Sequence, residues 1–174
     1  MPTPEERLAD VVHAEAPEFV FFWKEPHLDP GCLSQWWPAP FVVDDITYPT
    51  AEHWMMAEKA RLFEDTRSLE RVLHAPSPAS AKSLGRAVRG FSHDLWAAAG
   101  YDIVVAGNLA KFSQNDELRR FLAATGTRVL VEASPLDRVW GIGLAEDDEG
   151  ATAPSRWRGS NLLGFALMEV RERL

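Results

Sequence analysis

Cysteine is almost missing from this chain: Cys32 stands alone among 174 residues. One thiol excludes an internal disulfide and a zinc site built on several thiolates. It also fits a reducing compartment, so the expected location is the cytoplasm. Long apolar runs are missing too, and no stretch approaches the ~20 residues needed to cross a bilayer. The first ten residues carry Glu5, Glu6 and Asp10 without an apolar core, which argues against a signal peptide. Positive charge is scarce: 18 Lys and Arg face 26 Asp and Glu, for a net charge of −8. A field of that sign repels polyanions and disfavours a general grip on nucleic acid or on an anionic membrane. A local basic pocket remains compatible with it. There is no phosphate-cradling Walker loop and no G-x-S-x-G elbow, and His13, His27, His53, His74 and His93 are too dispersed for a metal site.

What is present is ordinary in bulk. Apolar residues make up 46% and charged residues 25%, which is globular composition, and the length fits one domain. The unusual ratio is seven tryptophans to two tyrosines. Tryptophan is large, flat and carries a donor, so clusters of it line pockets for flat ligands, although a single one more often packs a core.

The element pattern reads as follows. Residues 5–16 form a short helix that Pro17 ends. Phe19 to Trp23 is an aromatic, β-branched strand. Residues 24–40 are loop, rich in proline and broken by the short segment Cys32-Leu33-Ser34-Gln35-Trp36-Trp37. Phe41-Val42-Val43 and Ile46-Thr47-Tyr48 make a hairpin around Asp44-Asp45. Thr50 caps a helix that runs to about Phe63, with Glu52 in the first turn. A second helix covers roughly 66–74. Ser77-Pro78 starts a third, which ends near Gly90. A fourth spans about 93–113, with Gly100 or Gly107 as points of interruption. Asn115-Asp116-Glu117 caps a fifth that Gly126 stops. Val129 to Ala133 is a buried strand, and Glu146 to Gly150 is an acidic loop. Asn161 caps a last helix carrying Leu163, Leu167, Val170 and Leu174 at helical spacing. The class is α+β, a single compact and predominantly helical domain with a few short strands. Residues 1–18 read as an N-terminal extension and 19–174 as the domain.

Three constellations carry chemistry. On the helix from Ala51, residues Glu52, Met56, Lys59 and Phe63 share one face, with the Glu52 and Lys59 Cα atoms about 10 Å apart. A carboxylate and an amine on an apolar face are costly unless paired or used. The competing reading is a solvated pair, with Trp54, Met55 and Leu62 forming the core. Past the buried strand, Ser134 to Gly143 places Asp137 beside Trp140, Gly141 and Gly143, which suits close approach of a ligand to the main chain, or an ordinary turn capped by Asp137. Asn108 and Lys111 lie three apart on one helical face, able to address a phosphate or a ribose if they are not merely surface. Lys82, Arg86 and Arg89 make a basic patch that suits a phosphate-bearing ligand.

Cys32-Leu33-Ser34-Gln35-Trp36, the run from Tyr48 to Ala60, Leu84-Gly85-Arg86, Gly107 to Phe112, Val131 to Gly143 and Asn161 to Met168 follow one another in this order. In these motifs, over about residues 19–174, the chain resembles the NADAR or YbiA-like family. The resemblance implies a compact, mostly helical α+β fold and an N-glycosidase that hydrolyses a ribosyl C–N bond. Two substrate classes go with it: ADP-ribose on guanine bases, free or in nucleic acid, and phosphorylated ribosylamino-pyrimidine intermediates of riboflavin synthesis. Such a reaction calls for no cofactor and no metal; with no membrane-length apolar run no membrane association is expected, and no obligate protein partner is inferred.

The same resemblance puts Glu52, Lys59, Asp137 and Trp140 in the pocket. Breaking the bond builds positive charge on the anomeric carbon, so a nearby carboxylate stabilises the transition state. Glu52 or Asp137 fills that role, and the other orients or activates water. Lys59 either donates to phosphate and ribose hydroxyls or, with its pKa lowered by burial, attacks C1 and forms a Schiff base with the opened sugar; we lean to the second. Trp140, Trp96 or Trp36 stacks on a base or walls the ribose, and Asn108, Lys111, Arg86, Ser34 and Asn161 complete the candidate contacts. Other classes are a non-catalytic module that binds ADP-ribose or NAD, and an interaction protein that uses its tryptophans as a surface.

Overall fold

Side-chain caps set the start of most helices in the computed structural model, which describes residues 1–24 and 27–174. The loop expected at 24–40 includes Glu25 and Pro26, which lie outside the described residues. Helix α1 (Pro4–His13) opens on a reciprocal capping box: the Thr3 hydroxyl accepts from the Glu6 N–H, and the Glu6 carboxylate accepts from the Thr3 N–H at 2.7 Å. It stops three residues before the end read from sequence. Strand β1 is Phe19–Phe22, and α2 (Leu28–Gly31) is a single turn. Strands β2 (Phe41–Val43) and β3 (Ile46–Tyr48) pair antiparallel across Asp44 and Asp45, both at positive φ, as the hairpin reading expects. Helices α3 (Ala51–Leu62), α4 (Thr66–Leu73) and α5 (Pro78–Arg86) are capped by the side chains of Thr50, Asp65 and Ser77. Then come α6 (His93–Gln114), α7 (Asp116–Ala124), β4 (Val129–Glu132) and α8 (Leu162–Arg173). The mainly helical α+β class is what the structure shows.

Contacts divide the chain into two units, residues 1–34 with 117–174 and residues 35–116. In the first, β1 lies parallel to β4, with Phe19 opposite Val129 and Phe22 opposite Glu132. Helix α8 packs on β4. Its residues Leu163 to Val170 are all buried, because the stripe of Leu163, Leu167 and Val170 is widened by Phe165, Ala166 and Met168. Helix α1 is tied to α8 by Arg7, whose guanidinium donates both ways to Glu172 at 2.8 and 2.7 Å.

In the second unit α3 is the central element, packed by α4, α5 and α6. Every residue from Ala51 to Ala57 is buried, so this helix has no solvated side over its first two turns. Two glycines let its neighbours come that close. A Cβ on Gly85 would fall 1.9 Å from the Met56 sulfur, and one on Gly107 would fall 2.1 Å from Cδ1 of Trp54. Gly107 therefore does not interrupt α6, and neither does Gly100; the helix runs unbroken for 22 residues. Trp54 is the one tryptophan of seven that is buried. Its indole N–H donates to the Ile103 carbonyl at 2.8 Å, and Phe41 and Tyr48 flank its ring. Helix α5 ends at Arg86 rather than near Gly90, since the Arg89 main chain is drawn to the Asp65 carboxylate at 2.9 Å.

Candidate active site

The buried start of α3 carries Glu52. Its N–H is one of the first-turn donors that no helical carbonyl can reach. The Gln35 main-chain carbonyl accepts it at 3.0 Å. Glu52 is only 4% exposed, so the reading of a solvated Glu52–Lys59 pair fails for the acid. The rival core reading holds in part: Trp54 and Met55 are buried, because the start of the helix is covered on every side, but Leu62 at its end is only half-buried. A carboxylate at that depth costs several kcal/mol unless its surroundings compensate.

Lys59, two turns on, is half-buried. Its Nζ stands 4.2 Å from the centroid of the Phe91 ring and 5.5 Å from that of Trp96. Burial lowers its pKa first, the neighbouring Arg86 guanidinium lowers it further, and Glu52 pulls the other way. The result is an amine that releases its proton more easily than an ordinary lysine, beside a buried acid and inside an aromatic wall. Phe91 was not singled out in the sequence. It follows Gly90 in a short connection without periodicity, so only the fold brings it to Lys59.

Asn108 and Lys111 are not surface residues: both are fully buried in α6. The Asn108 amide donates to the Gln35 side-chain carbonyl at 2.8 Å and to the Val104 main-chain carbonyl at 2.9 Å. A main-chain carbonyl cannot donate, so the amide orientation is fixed and both N–H bonds are spent. Among the described residues, the buried Asn108 Oδ1 has no hydrogen-bond partner. At that depth neither the phosphate nor the ribose foreseen for Asn108 can touch it in this arrangement. Gln35 is the second residue that sequence reasoning passed over, although it sits inside the Cys32 to Trp36 motif; a lone amide in an apolar run was the available signal.

The basic patch divides. Arg89 is committed to Asp65, whose buried carboxylate also accepts from the Ser68 hydroxyl at 2.7 Å. Arg86 is exposed, and the Lys82 Nζ lies 6.0 Å from the centroid of the exposed Trp36 ring. His53 is structural: its Nε2 donates to the Ala75 carbonyl at 3.1 Å, which leaves Nδ1 to accept from the Thr50 hydroxyl at 2.8 Å.

Ser34, Asp137, Trp140 and Asn161 belong to the first unit. Ser34 is half-buried just after α2. Asp137 does the work of a turn: one carboxylate oxygen accepts from the Val139 N–H at 2.9 Å and from the Trp140 N–H at 2.8 Å. The close approach that Gly141 permits is to the protein's own main chain, since a Cβ there would sit 2.8 Å from the Glu132 carbonyl. Asn161 does not cap α8 with its side chain. The loop carbonyls of Val139 and Trp140 accept the first N–H groups of that helix at 3.3 and 3.1 Å. The Asn161 amide is thereby released to clip β4, with Oδ1 accepting from the Glu132 N–H at 3.0 Å and Nδ2 donating to the Leu130 carbonyl at 2.9 Å.

Among the described residues no group of His, Cys, Asp and Glu is arranged to hold a metal, and no helix is long and apolar enough to cross a membrane.

Comparison with known proteins agrees with this architecture. The NADAR domain profile matches residues 21–174. An N-glycosidase of Acanthamoeba polyphaga mimivirus is 39% identical over 165 residues, 91% of this chain and 97% of that protein. N-glycosidase YbiA of Escherichia coli K12 is 34% identical over 146 residues, 84% of this chain and 82% of that one. The NMR structure of E. coli YbiA matches with a TM-score of 0.73 at 31% identity, over 92% of this chain and 87% of that structure.

Proposed function

The chain belongs to the NADAR family of N-glycosidases, and from that premise we propose that Glu52 and Lys59 carry the reaction, on a ribosyl N-glycoside that bears phosphate. The observation behind this reading is the setting of Lys59: an amine of lowered pKa against Phe91 and Trp96, on the helix that buries Glu52.

The neutral Lys59 amine attacks the anomeric carbon. A bond forms from Nζ to C1, and the C–N bond to the base breaks with its electron pair leaving on the base nitrogen, which takes up a proton. Positive charge builds on C1 as this happens, and a negative Glu52 held in a low-dielectric interior stabilises it more than a carboxylate in water would. The nitrogen-linked sugar then opens: the ring oxygen leaves C1 and gains a proton, and C1 becomes the carbon of a protonated Schiff base to Lys59. Water adds to that carbon, the amine departs, and the free sugar closes again. The lowered pKa matters at both ends, because it supplies the neutral nucleophile and makes it a better leaving group.

Specificity follows from the surroundings. Trp96 and Phe91 give an apolar wall for a sugar or a flat base, and Arg86 and Lys82 supply the cations that a phosphate needs. Asp137 supports its own turn, and this scheme calls on one carboxylate only.

Two substrates meet this description, ADP-ribose on guanine and a phosphorylated ribosylamino-pyrimidine. Both are assayed side by side with wild type, Glu52→Gln and Lys59→Ala, and with borohydride present. The expected result is release of base from at least one substrate, a sugar–protein adduct trapped in wild type, and loss of both turnover and adduct in Lys59→Ala. Full turnover by Lys59→Ala would exclude the covalent route. Binding of ADP-ribose with no base released from either substrate would point to a binding module instead.

A further inference from the structure

The geometry assigns Gln35 a positioning role for Glu52, an inference that rests on Glu52 being the catalytic carboxylate. Gln35 is 8% exposed and lies in the loop before the hairpin, far in sequence from α6. Among the described residues it makes three hydrogen bonds, and two of them end on the first turns of α3. Its main-chain carbonyl takes the Glu52 N–H at 3.0 Å, and its side-chain Nε2 donates to the Met55 sulfur at 3.7 Å. The third comes from α6, where the Asn108 amide donates to Gln35 Oε1 at 2.8 Å.

The main-chain bond alone would be a routine way to satisfy a helix N-terminus, and any residue could supply it. The side chain is what makes the position specific. Through it, the loop that holds the Glu52 backbone is itself held to α6, at a residue that is locked in turn by the Val104 carbonyl at 2.9 Å. Glu52, Gln35 and Asn108 are all buried, so water cannot readily replace any of these bonds. A carboxylate that must meet developing charge gains nothing from a helix start free to shift by a fraction of an ångström. The chain Asn108–Gln35–Glu52 removes that freedom by linking two helices through one amide.

The test is steady-state kinetics, on whichever ribosyl substrate the wild type turns over, with four variants of the full chain. Gln35→Met keeps the length and volume but loses the hydrogen bonds of the amide. It should lower kcat about tenfold while KM stays within about twofold, because the effect falls on transition-state stabilisation. In the Glu52→Gln background, Gln35→Met should cost nothing further, since a positioning residue has no effect without the group it positions. Should Gln35→Met not accumulate as a folded protein, Gln35→Asn, which withdraws the acceptor from Asn108 by one methylene, carries the same expectation. Folded Gln35→Met or Gln35→Asn with kcat within twofold of wild type overturns the proposal. So does an equal loss in both backgrounds, which would mean that Gln35 acts on folding or elsewhere in the site. Wild-type kcat in Glu52→Gln alone is a different failure: it removes the catalytic reading of Glu52, and this inference with it.

Discussion

The Lys59 amine stands over the face of Phe91, 4.2 Å from the ring centroid. Burial removes part of its hydration shell and the Arg86 guanidinium adds repulsion, which together outweigh the pull of Glu52, so the charged form is disfavoured on balance.

The acidic limb of the pH–rate profile should follow this lysine. Activity rises with pH as the amine loses its proton, and the midpoint lies below that of an ordinary lysine. Arg86→Gln removes a repelling charge, raises the Lys59 pKa and should move the limb to higher pH. The opposite sign applies to Glu52→Gln, which should move any remaining activity to lower pH. Stability has a sign too. A lysine whose folded pKa is depressed penalises folding while it is protonated in the folded state. The penalty is relieved as pH rises from the folded value toward the unfolded one. A limb that stays put in Arg86→Gln would disconnect the rate from Lys59.

Asp65 should control acid stability. Arg89 holds its carboxyl well below the usual carboxylate range through hydrogen bonds from side chain and main chain, with help from Ser68. Its stabilising effect is complete above the unfolded carboxylate value and is lost as pH falls through the depressed folded one. In Asp65→Asn that acid dependence should flatten and Tm at neutral pH should fall by several degrees. Calorimetry across acid and neutral pH reads both effects.

Gly107→Ala and Gly85→Ala should both destabilise, but unequally. The new methyl at 107 meets an indole that is pinned by its bond to Ile103, so relief requires moving a packed ring. At 85 it meets the Met56 side chain, which has rotamers to spare. Overpacking of this kind costs about 1–3 kcal/mol, and Gly107→Ala should sit at the upper end. Urea midpoints compare the two, and an equal or reversed order would contradict the packing described for α3.

Asn161 should tolerate no simple replacement. Asn161→Ala abandons the Glu132 N–H and the Leu130 carbonyl and keeps a strained positive φ of 51°. Leaving buried partners unsatisfied costs about 1–3 kcal/mol each. Asn161→Asp keeps the acceptor for Glu132 and should fall between alanine and wild type. Slowed amide exchange at Glu132 in wild type, lost in Asn161→Ala, would report the clip directly.

Local chemistry was legible where a few adjacent residues decide the outcome. Thr50, Ser77-Pro78 and Asp44-Asp45 announce a cap, a helix start and a turn, and the structure has all three there, because those features depend on bonds spanning three or four residues. The shared face of Glu52 and Lys59 was legible for the same reason, since helical spacing fixes it. The parallel pairing of β1 with β4 was not legible, because their partners lie more than a hundred residues apart in the chain.

Asn161 shows where such reading fails. Its type and place before α8 say cap, and so they would if nothing else were near. The loop after β4 supplies carbonyls to the helix start, so the amide bonds the strand instead. Gly107 is a similar case: glycine in mid-helix reads as a break until the indole of Trp54 is seen filling its place. Sequence by itself determined the helical class, the caps, the order of motifs that mark the family, and the acid and amine on one helical face. Tertiary structure alone decided how deep each group lies and what covers it, which is why Phe91 and Gln35 emerged only from the fold. Burial and long-range partners set the cost of charge and the strength of a hydrogen bond, and neither is encoded within a few residues of the group concerned.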